Sequence, residues 1–203
     1  MDIKEKTING VIWSAIERFS VQIIQFIVQI IIARLLLPSD YGLIGMLAIF
    51  MALAQTFTEG GLSNALIQKK DRNLTDYSTV FYFNIVIGIF LALIFFLCSD
   101  IISNFYQMPK LKIIIQVMSV NLIILAFQVI QKTILTIKID FKTQAKASLI
   151  SVLTGGAVGI VMAYKGFGVW ALVAQFTIIN LLQTSLFWYF EKWRPTLVFS
   201  KES

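Results

Sequence analysis

The sequence predicts an all-α integral membrane protein, a bundle of six transmembrane helices. Of its 203 residues, 58% are hydrophobic and only 14% are charged, whereas soluble domains are about 45–50% apolar and about 25% charged. The hydrophobic residues form long continuous stretches, unlike the alternating ten-residue segments of a membrane β-barrel. Because backbone N–H and C=O groups must pair internally in lipid, these stretches are expected to be helices.

Six stretches approach or exceed the length of about 20 residues that a helix needs to cross a hydrocarbon core of about 30 Å. The first is long enough to tilt, and the second is short enough that it would extend to Gly60. Pro38 separates these two, and Gly166 and Gly168 make the last connection a tight hairpin. We therefore predict a single transmembrane domain over residues 1–203, with spans at 9–37, 41–57, 78–98, 113–135, 147–164 and 167–190.

The positions of the basic residues predict the orientation of the spans. Of the lysines and arginines outside the interiors of the spans, only four fall on one side of the membrane: Arg34, Lys110, Lys112 and Lys165. Those on the other side are Lys4, Lys6, Lys69, Lys70, Arg72, Lys132, Lys138, Lys142, Lys146, Lys192, Arg194 and Lys201. Positive charge collects on the cytoplasmic side of membrane proteins, so both termini are predicted to be cytoplasmic. The net charge of +6 is thereby explained by topology and lipid contacts, and no nucleic-acid partner is expected.

The sequence contains no arrangement of residues that is typical of an enzyme. Histidine is absent and Cys98 is the only cysteine, so the commonest general base and metal ligand is missing. No phosphate-binding loop or metal-ligand spacing occurs, and the loops are too short to build a pocket. We predict a protein that is not an enzyme and that has no metal and no cofactor.

Polar residues recur inside the first span at spacings of four, four, three and four. They are Ser14, Arg18, Gln22, Gln25 and Gln29, which share a stripe about 80° wide at about 100° per residue. A lipid-facing charge costs about 2.5–3.5 kcal/mol, so the stripe favours a wet cavity in which Arg18 binds an anion. The alternative is structural: the glutamines bond to neighbouring helices, and Arg18 extends to the headgroups.

Further residues belong to the candidate polar interior. In the sixth span, one sector contains Asn180, Gln183 and Thr184. In the fourth span, Asn121, Gln128 and Lys132 share a helical face and are candidates to line the same cavity, although Lys132 is equally explained as a cytoplasmic anchor. Glu17 lies about 100° from Arg18 around the helix. It is the candidate carboxylate for coupling transport to an ion.

Small residues recur every four positions in the fifth span, at Ala147, Ser151, Gly155, Gly159 and Ala163. Such a ridge allows the backbone of another helix to approach closely. We therefore assign Ser151, Gly155 and Gly159 to helix packing.

Five segments resemble bacterial polysaccharide exporters of the Wzx type, within the multidrug/oligosaccharidyl-lipid/polysaccharide flippase superfamily. They are ARLLLPSDYGLIGMLAIF, EGGLSNALIQKKD, LTDYSTVFYFNIVIG, GFGVWALVAQ and WRPTLVFS. The resemblance implies a MATE-like transporter of the bacterial cytoplasmic membrane. It would flip undecaprenyl-pyrophosphate-linked oligosaccharide units for capsule, O-antigen or exopolysaccharide synthesis.

The resemblance further implies that the chain corresponds to the N-terminal lobe of such a transporter. It could be a fragment, one half of a split transporter, or a lobe that pairs with a second copy. Expected partners are the lipid-linked oligosaccharide, membrane lipids, a second lobe, and the polysaccharide polymerase and glycosyltransferases. The alternatives are a lobe of a cation-coupled drug antiporter, which would use Glu17, and a non-transporting membrane partner of a polysaccharide assembly complex.

Overall fold

A computed structural model describes residues 3–59, 61–69 and 71–196, with the backbone alone for some residues of the first helices. Within these residues the chain is almost entirely helical and contains no β-strand. The predicted all-α class is therefore confirmed. The helices are α1 (Ile3–Leu35), α2 (Pro38–Glu59), α3 (Gly61–Gln68), α4 (Leu74–Phe105), α5 (Pro109–Ile137), α6 (Phe141–Tyr164) and α7 (Val169–Phe190).

Five of these helices, α1, α4, α5, α6 and α7, are long and apolar enough to cross a membrane. Helix α2 has 22 residues and covers the predicted second span, but it is not one of the five within the described residues. The number of six spans therefore stays a prediction. Helix α3 lies in what the sequence presented as a loop, because its eight residues are too few to produce a clear periodicity.

Several helices extend beyond the predicted spans. Helices α4 and α6 begin at polar N-terminal caps that lie outside the apolar stretches. The backbone N–H of Asn73 donates to the Asp76 carboxylate at 2.9 Å, which starts α4 in a capping box. Asp140 accepts bonds from the Thr143 backbone N–H at 3.1 Å and from the Thr143 hydroxyl at 2.7 Å, which starts α6.

The chain divides into two compact units. The first comprises Met1–Gly42 and Gln131–Lys192, and the second comprises Leu43–Ile130 and Trp193–Ser203. Helix α5 contributes its last turns to the first unit and the rest to the second. The prediction of one transmembrane domain over the whole chain stays a prediction.

In the first unit, α6 packs against both α1 and α7. A Cβ atom placed on Gly156 would lie 2.8 Å from the Val28 side chain of α1, and one on Gly155 would lie 2.4 Å from Ile179 of α7. The glycines therefore bring three helices into close contact. This is how helices associate in lipid, where no hydrophobic effect drives them together.

In the second unit, α4 packs against α5 through a comparable close approach. A Cβ atom on Gly88 would lie 2.6 Å from the Cβ of Ala126. The segment after α7 also belongs to this unit, where the ring of Trp193 makes edge-on contacts with Tyr77 and Phe81 of α4. The segment after α7 thus packs against the first turns of α4 in this unit.

Candidate functional site

Helix α1 has one face that is packed and another that is apolar but exposed. Val28 and Ile32 are buried and contact Gly156 and Gly159 of α6. On the other side of the helix, Phe19 is 71% exposed and other large apolar side chains follow it at helical spacing. An exposed row of aromatic and aliphatic side chains on a spanning helix is suited to lipid.

The polar residues occupy a third face of α1, between the packed face and the exposed apolar face. Arg18, Gln22 and Gln29 are exposed, whereas Ser14 and Gln25 are half-buried. At about 100° per residue these five positions fall in one sector of the helix. This face neither packs against α6 nor suits lipid, so its chemistry fits a water-filled space.

Gln29 differs from the rest of this polar face because another helix holds it. The hydroxyl of Tyr41, near the start of α2, donates to the side-chain oxygen of Gln29 at 3.2 Å and approaches its backbone oxygen at 3.4 Å. Such bonds between helices stabilise membrane bundles. The structural interpretation therefore accounts for Gln29. No described residue accepts a hydrogen bond from its side-chain N–H groups.

Arg18, Gln22 and Gln25 are the part of the polar face that remains open. Within the described residues, the structure gives the guanidinium of Arg18 and the amide of Gln22 no hydrogen-bonding side chain. No described side chain therefore occupies these donors, and they suit water or a ligand. Glu17 lies in α1, but its side chain is outside the described part of the structure, so its role in ion coupling stays a prediction.

The candidate residues of α5 have different environments. Asn121 is fully buried, with its amide 3.9 Å from the Met118 sulfur, and Gln128 is also buried. Lys132 is exposed. Because Asn121 and Gln128 are buried, they could line a cavity only after their neighbours had moved. Periodicity identified the face that they share but not the residues that cover it.

The predicted small-residue ridge of α6 lies in its helix contacts. Ser151, Gly155 and Gly159 are all buried. A Cβ atom on Gly159 would lie 3.0 Å from Gln175 of α7 and 3.2 Å from Ile32 of α1. A side chain at this position would therefore require the side chains of both neighbouring helices to shift by a few tenths of an ångström.

Partly buried polar pairs tie the helices of the first unit together, and the sequence analysis placed Gln183 on a polar face without identifying its partner. The amide of Gln183 in α7 donates to the Ser148 hydroxyl of α6 at 2.8 Å. The amide of Gln144 in α6 donates to the Thr136 hydroxyl of α5 at 3.1 Å. A glutamine in an apolar span is the available sequence signal, but spacing alone does not reveal its partner.

The described residues contain no group of three or more His, Cys, Asp or Glu side chains that could hold a metal ion. The candidate site in the described residues is the polar face of α1, with Arg18 as its cationic group. Its hydrogen-bonding groups suit hydroxyls and anions.

Long apolar helices, packed through glycines and joined by partly buried amide–hydroxyl bonds, define a multi-pass membrane protein. Residues 31–203 match the family model described as "Polysaccharide biosynthesis protein". The chain belongs to this family. No solved structure matches it.

Several curated proteins are similar to nearly the whole chain. WzxC, a lipopolysaccharide biosynthesis protein of Escherichia coli (strain K12), is 26% identical over 100% of this chain and 42% of its own length. ExoT, a succinoglycan biosynthesis transport protein of Rhizobium meliloti (strain 1021), is 24% identical over 98% and 40%. TuaB, a teichuronic acid biosynthesis protein of Bacillus subtilis (strain 168), is 28% identical over 97% and 41%. The chain thus spans about two fifths of the length of these relatives.

Proposed function

We propose that the protein takes part in exporting polysaccharide precursors across the bacterial cytoplasmic membrane, with both termini on the cytoplasmic side. The transported molecule is an undecaprenyl-pyrophosphate-linked oligosaccharide, which moves from the cytoplasmic to the periplasmic leaflet. The family and the names of the relatives support this proposal. The observation that carries it is the exposed polar face of α1, which adjoins an exposed apolar face.

Adjoining polar and apolar faces suit a molecule that is itself amphipathic. The guanidinium of Arg18 neutralises the pyrophosphate, since Arg binds phosphate oxygens through paired N–H donors. Gln22 and Gln25 bond to sugar hydroxyls, because an amide both donates and accepts. The lipid chain stays in the bilayer beside the apolar face that includes Phe19. The same helix thereby guides both ends of the substrate.

A single polar wall does not enclose a cavity. Because the chain spans about two fifths of its relatives' length, we propose that a second lobe or a second copy supplies the opposite wall. Rocking of the two lobes then exposes the sugar to each side of the membrane in turn. Glycosyltransferases supply the lipid-linked unit, and a polymerase consumes it.

The functional test is complementation in a bacterium from which this gene has been deleted, with surface polysaccharide as the readout. Loss of a charge-assisted hydrogen bond costs about 1.5–3 kcal/mol, or about tenfold to a hundredfold in substrate affinity. Arg18→Gln is therefore expected to reduce export at limiting substrate by at least about tenfold, with a further reduction when Gln22→Ala is added. Lys110→Gln, which removes a charge from an exposed site at the start of α5, is the control. Wild-type export by the double variant, at equal protein level, would refute the role of this face.

The direction of the helices supports six membrane crossings. Helices α1 and α6 run in the same direction, since Trp13 lies beside Lys142 near their N-terminal ends and Ile32 lies beside Gly159 near their C-terminal ends. If α4 and α5 each cross between them, parity requires one further crossing. Helix α2 has 22 residues and is therefore about 33 Å long, which is sufficient.

This topology is tested by labelling single cysteines in intact cells with a reagent that does not cross the membrane. The background is Cys98→Ser, and a cysteine is placed at Asp71, before α4, or at Lys165, between α6 and α7. We expect labelling from outside at position 165 and none at position 71 until the membrane is permeabilised. Because α4, α5 and α6 cross between these positions, the two must lie on opposite sides. Labelling from outside at position 71 and none at position 165 would therefore mean, with the N-terminus inside, that α2 does not cross.

A further inference from the structure

A lysine and a tryptophan meet near the N-terminal ends of the parallel helices α1 and α6. The ammonium of Lys142 lies 5.4 Å from the centre of the Trp13 ring, which is within the range of a cation–π interaction. Lys146 follows one turn later and points to the same side of α6 because residues four apart are neighbours on a helix. Both lysines are exposed.

The two described carboxylates near this corner, those of Glu191 and Asp140, already have other partners. Glu191 binds the ammonium of Lys138 through both oxygens, at 2.8 and 2.7 Å. Asp140 accepts the two bonds from Thr143 that cap α6. Among the described residues, no carboxylate forms an ion pair with Lys142 or Lys146. The corner therefore has two adjacent positive charges that no described acid neutralises.

We propose that Trp13, Lys142 and Lys146 form a binding site for the phosphate of an anionic lipid headgroup. Like charges four residues apart on a helix repel each other, and a phosphate between them would relieve that repulsion. The indole holds the Lys142 ammonium in place and lies at the level that tryptophan prefers, between headgroups and hydrocarbon. The site therefore combines two cations with an interfacial anchor.

The position of this site favours a bilayer phospholipid over the transported lipid as the source of the phosphate. Trp13 and Arg18 are five residues apart, which places them about 140° apart around α1. The phosphate site thus lies on a different side of α1 from the polar face proposed for transport. If the phosphate belongs to a bilayer phospholipid, this proposal does not depend on the proposed function.

The test is native mass spectrometry of the full chain in detergent micelles, titrated separately with phosphatidylglycerol, phosphatidylcholine and undecaprenyl pyrophosphate. A lysine near a membrane surface contributes about 1 kcal/mol toward anionic lipid, which corresponds to about fivefold in affinity. Lys142→Gln with Lys146→Gln should therefore weaken phosphatidylglycerol binding by about 25-fold. Trp13→Leu, which removes the cation–π contact, should weaken it by about twofold to fivefold.

Two double variants serve as controls. Lys110→Gln with Lys165→Gln removes the same charge from exposed positions near the opposite helix ends and should bind phosphatidylglycerol as the wild type does. Replacing Lys142 and Lys146 with arginine retains the charges and should retain binding, which separates loss of the site from loss of folding.

The outcomes distinguish the two lipid sources and also expose a false proposal. Tighter binding of phosphatidylglycerol at the site supports a bilayer phospholipid, and tighter binding of undecaprenyl pyrophosphate supports the same phosphate chemistry with the transported lipid as its source. Equal binding of phosphatidylcholine would overturn the proposal. So would an equal loss of phosphatidylglycerol binding in both glutamine double variants, which would indicate a general effect of net charge.

Discussion

Replacing Gly155 with alanine tests whether the close approach of α6 and α7 stabilises the fold. A Cβ atom at this position would lie 2.4 Å from Cγ1 of Ile179 and 3.0 Å from the backbone oxygen of Gln175. Ile179 can adapt little, since a β-branched side chain in a helix has one strongly preferred rotamer. The backbone oxygen can move only with α7 itself. The methyl group must therefore push the two helices apart.

The size of the effect follows from two opposing contributions. Overpacking of a tight interface costs about 1–3 kcal/mol, whereas replacing glycine with alanine inside a helix gains about 1 kcal/mol. The free energy of unfolding of Gly155→Ala should therefore fall by up to about 2 kcal/mol. At Gly45 of α2, no described atom lies within 4 Å of the added methyl. Gly45→Ala should show the gain alone.

The two variants should consequently differ by about 1–3 kcal/mol, the overpacking cost itself. The measurement is unfolding of the purified chain in mixed micelles by increasing the mole fraction of denaturing detergent, followed by far-UV circular dichroism. If Gly155→Ala were as stable as Gly45→Ala, the contact between α6 and α7 would be looser than the distances imply, and the packing argument would fail.

Two other substitutions test the polar contacts of the first unit. Lys138→Ala removes the ammonium that binds both oxygens of Glu191, whose side chain is only 7% exposed. Because water can partly replace the half-exposed lysine, the loss in unfolding free energy should be about 1–3 kcal/mol. The same change at Lys112, whose ion pair is exposed, should cost less than about 1 kcal/mol, and equal losses in the two variants would contradict the role of burial. Gln183→Leu removes the bond to the Ser148 hydroxyl and should cost about 0.6–2 kcal/mol in the same detergent titration, whereas an unchanged midpoint would show that the bond contributes nothing.

The helical class and most of the spans could be predicted because composition and the length of apolar stretches directly reflect the bilayer. The helix ends could not, because they depend on caps such as Asp140 that lie outside the apolar stretches. Helix α3 was not predicted for a related reason. Its eight residues after Gly60 are too few for a periodic pattern to stand out from a polar loop.

The candidate site was predictable as a helix face, but the environment of each residue on it was not. Spacing placed Arg18, Gln22 and Gln29 on one side of α1. It could not reveal that Tyr41 bonds to Gln29, since that contact depends on how α2 returns after the turn. In α5, periodicity joined Asn121 to Lys132 although one is buried and the other exposed.

The evidence for the family and the evidence for the transport face come from different parts of the chain. The family match begins at residue 31, after Arg18, Gln22 and Gln25, so family membership alone assigns these residues no role. Their proposed role rests on the three faces of α1 and on the cost of exposing a guanidinium to lipid. If Arg18→Gln abolished export while the detergent titration showed unchanged stability, the loss would identify α1 as part of the transport path. If the variant instead lost stability, Arg18 would belong to the structural contacts of the bundle, and the export proposal would then rest on the family alone.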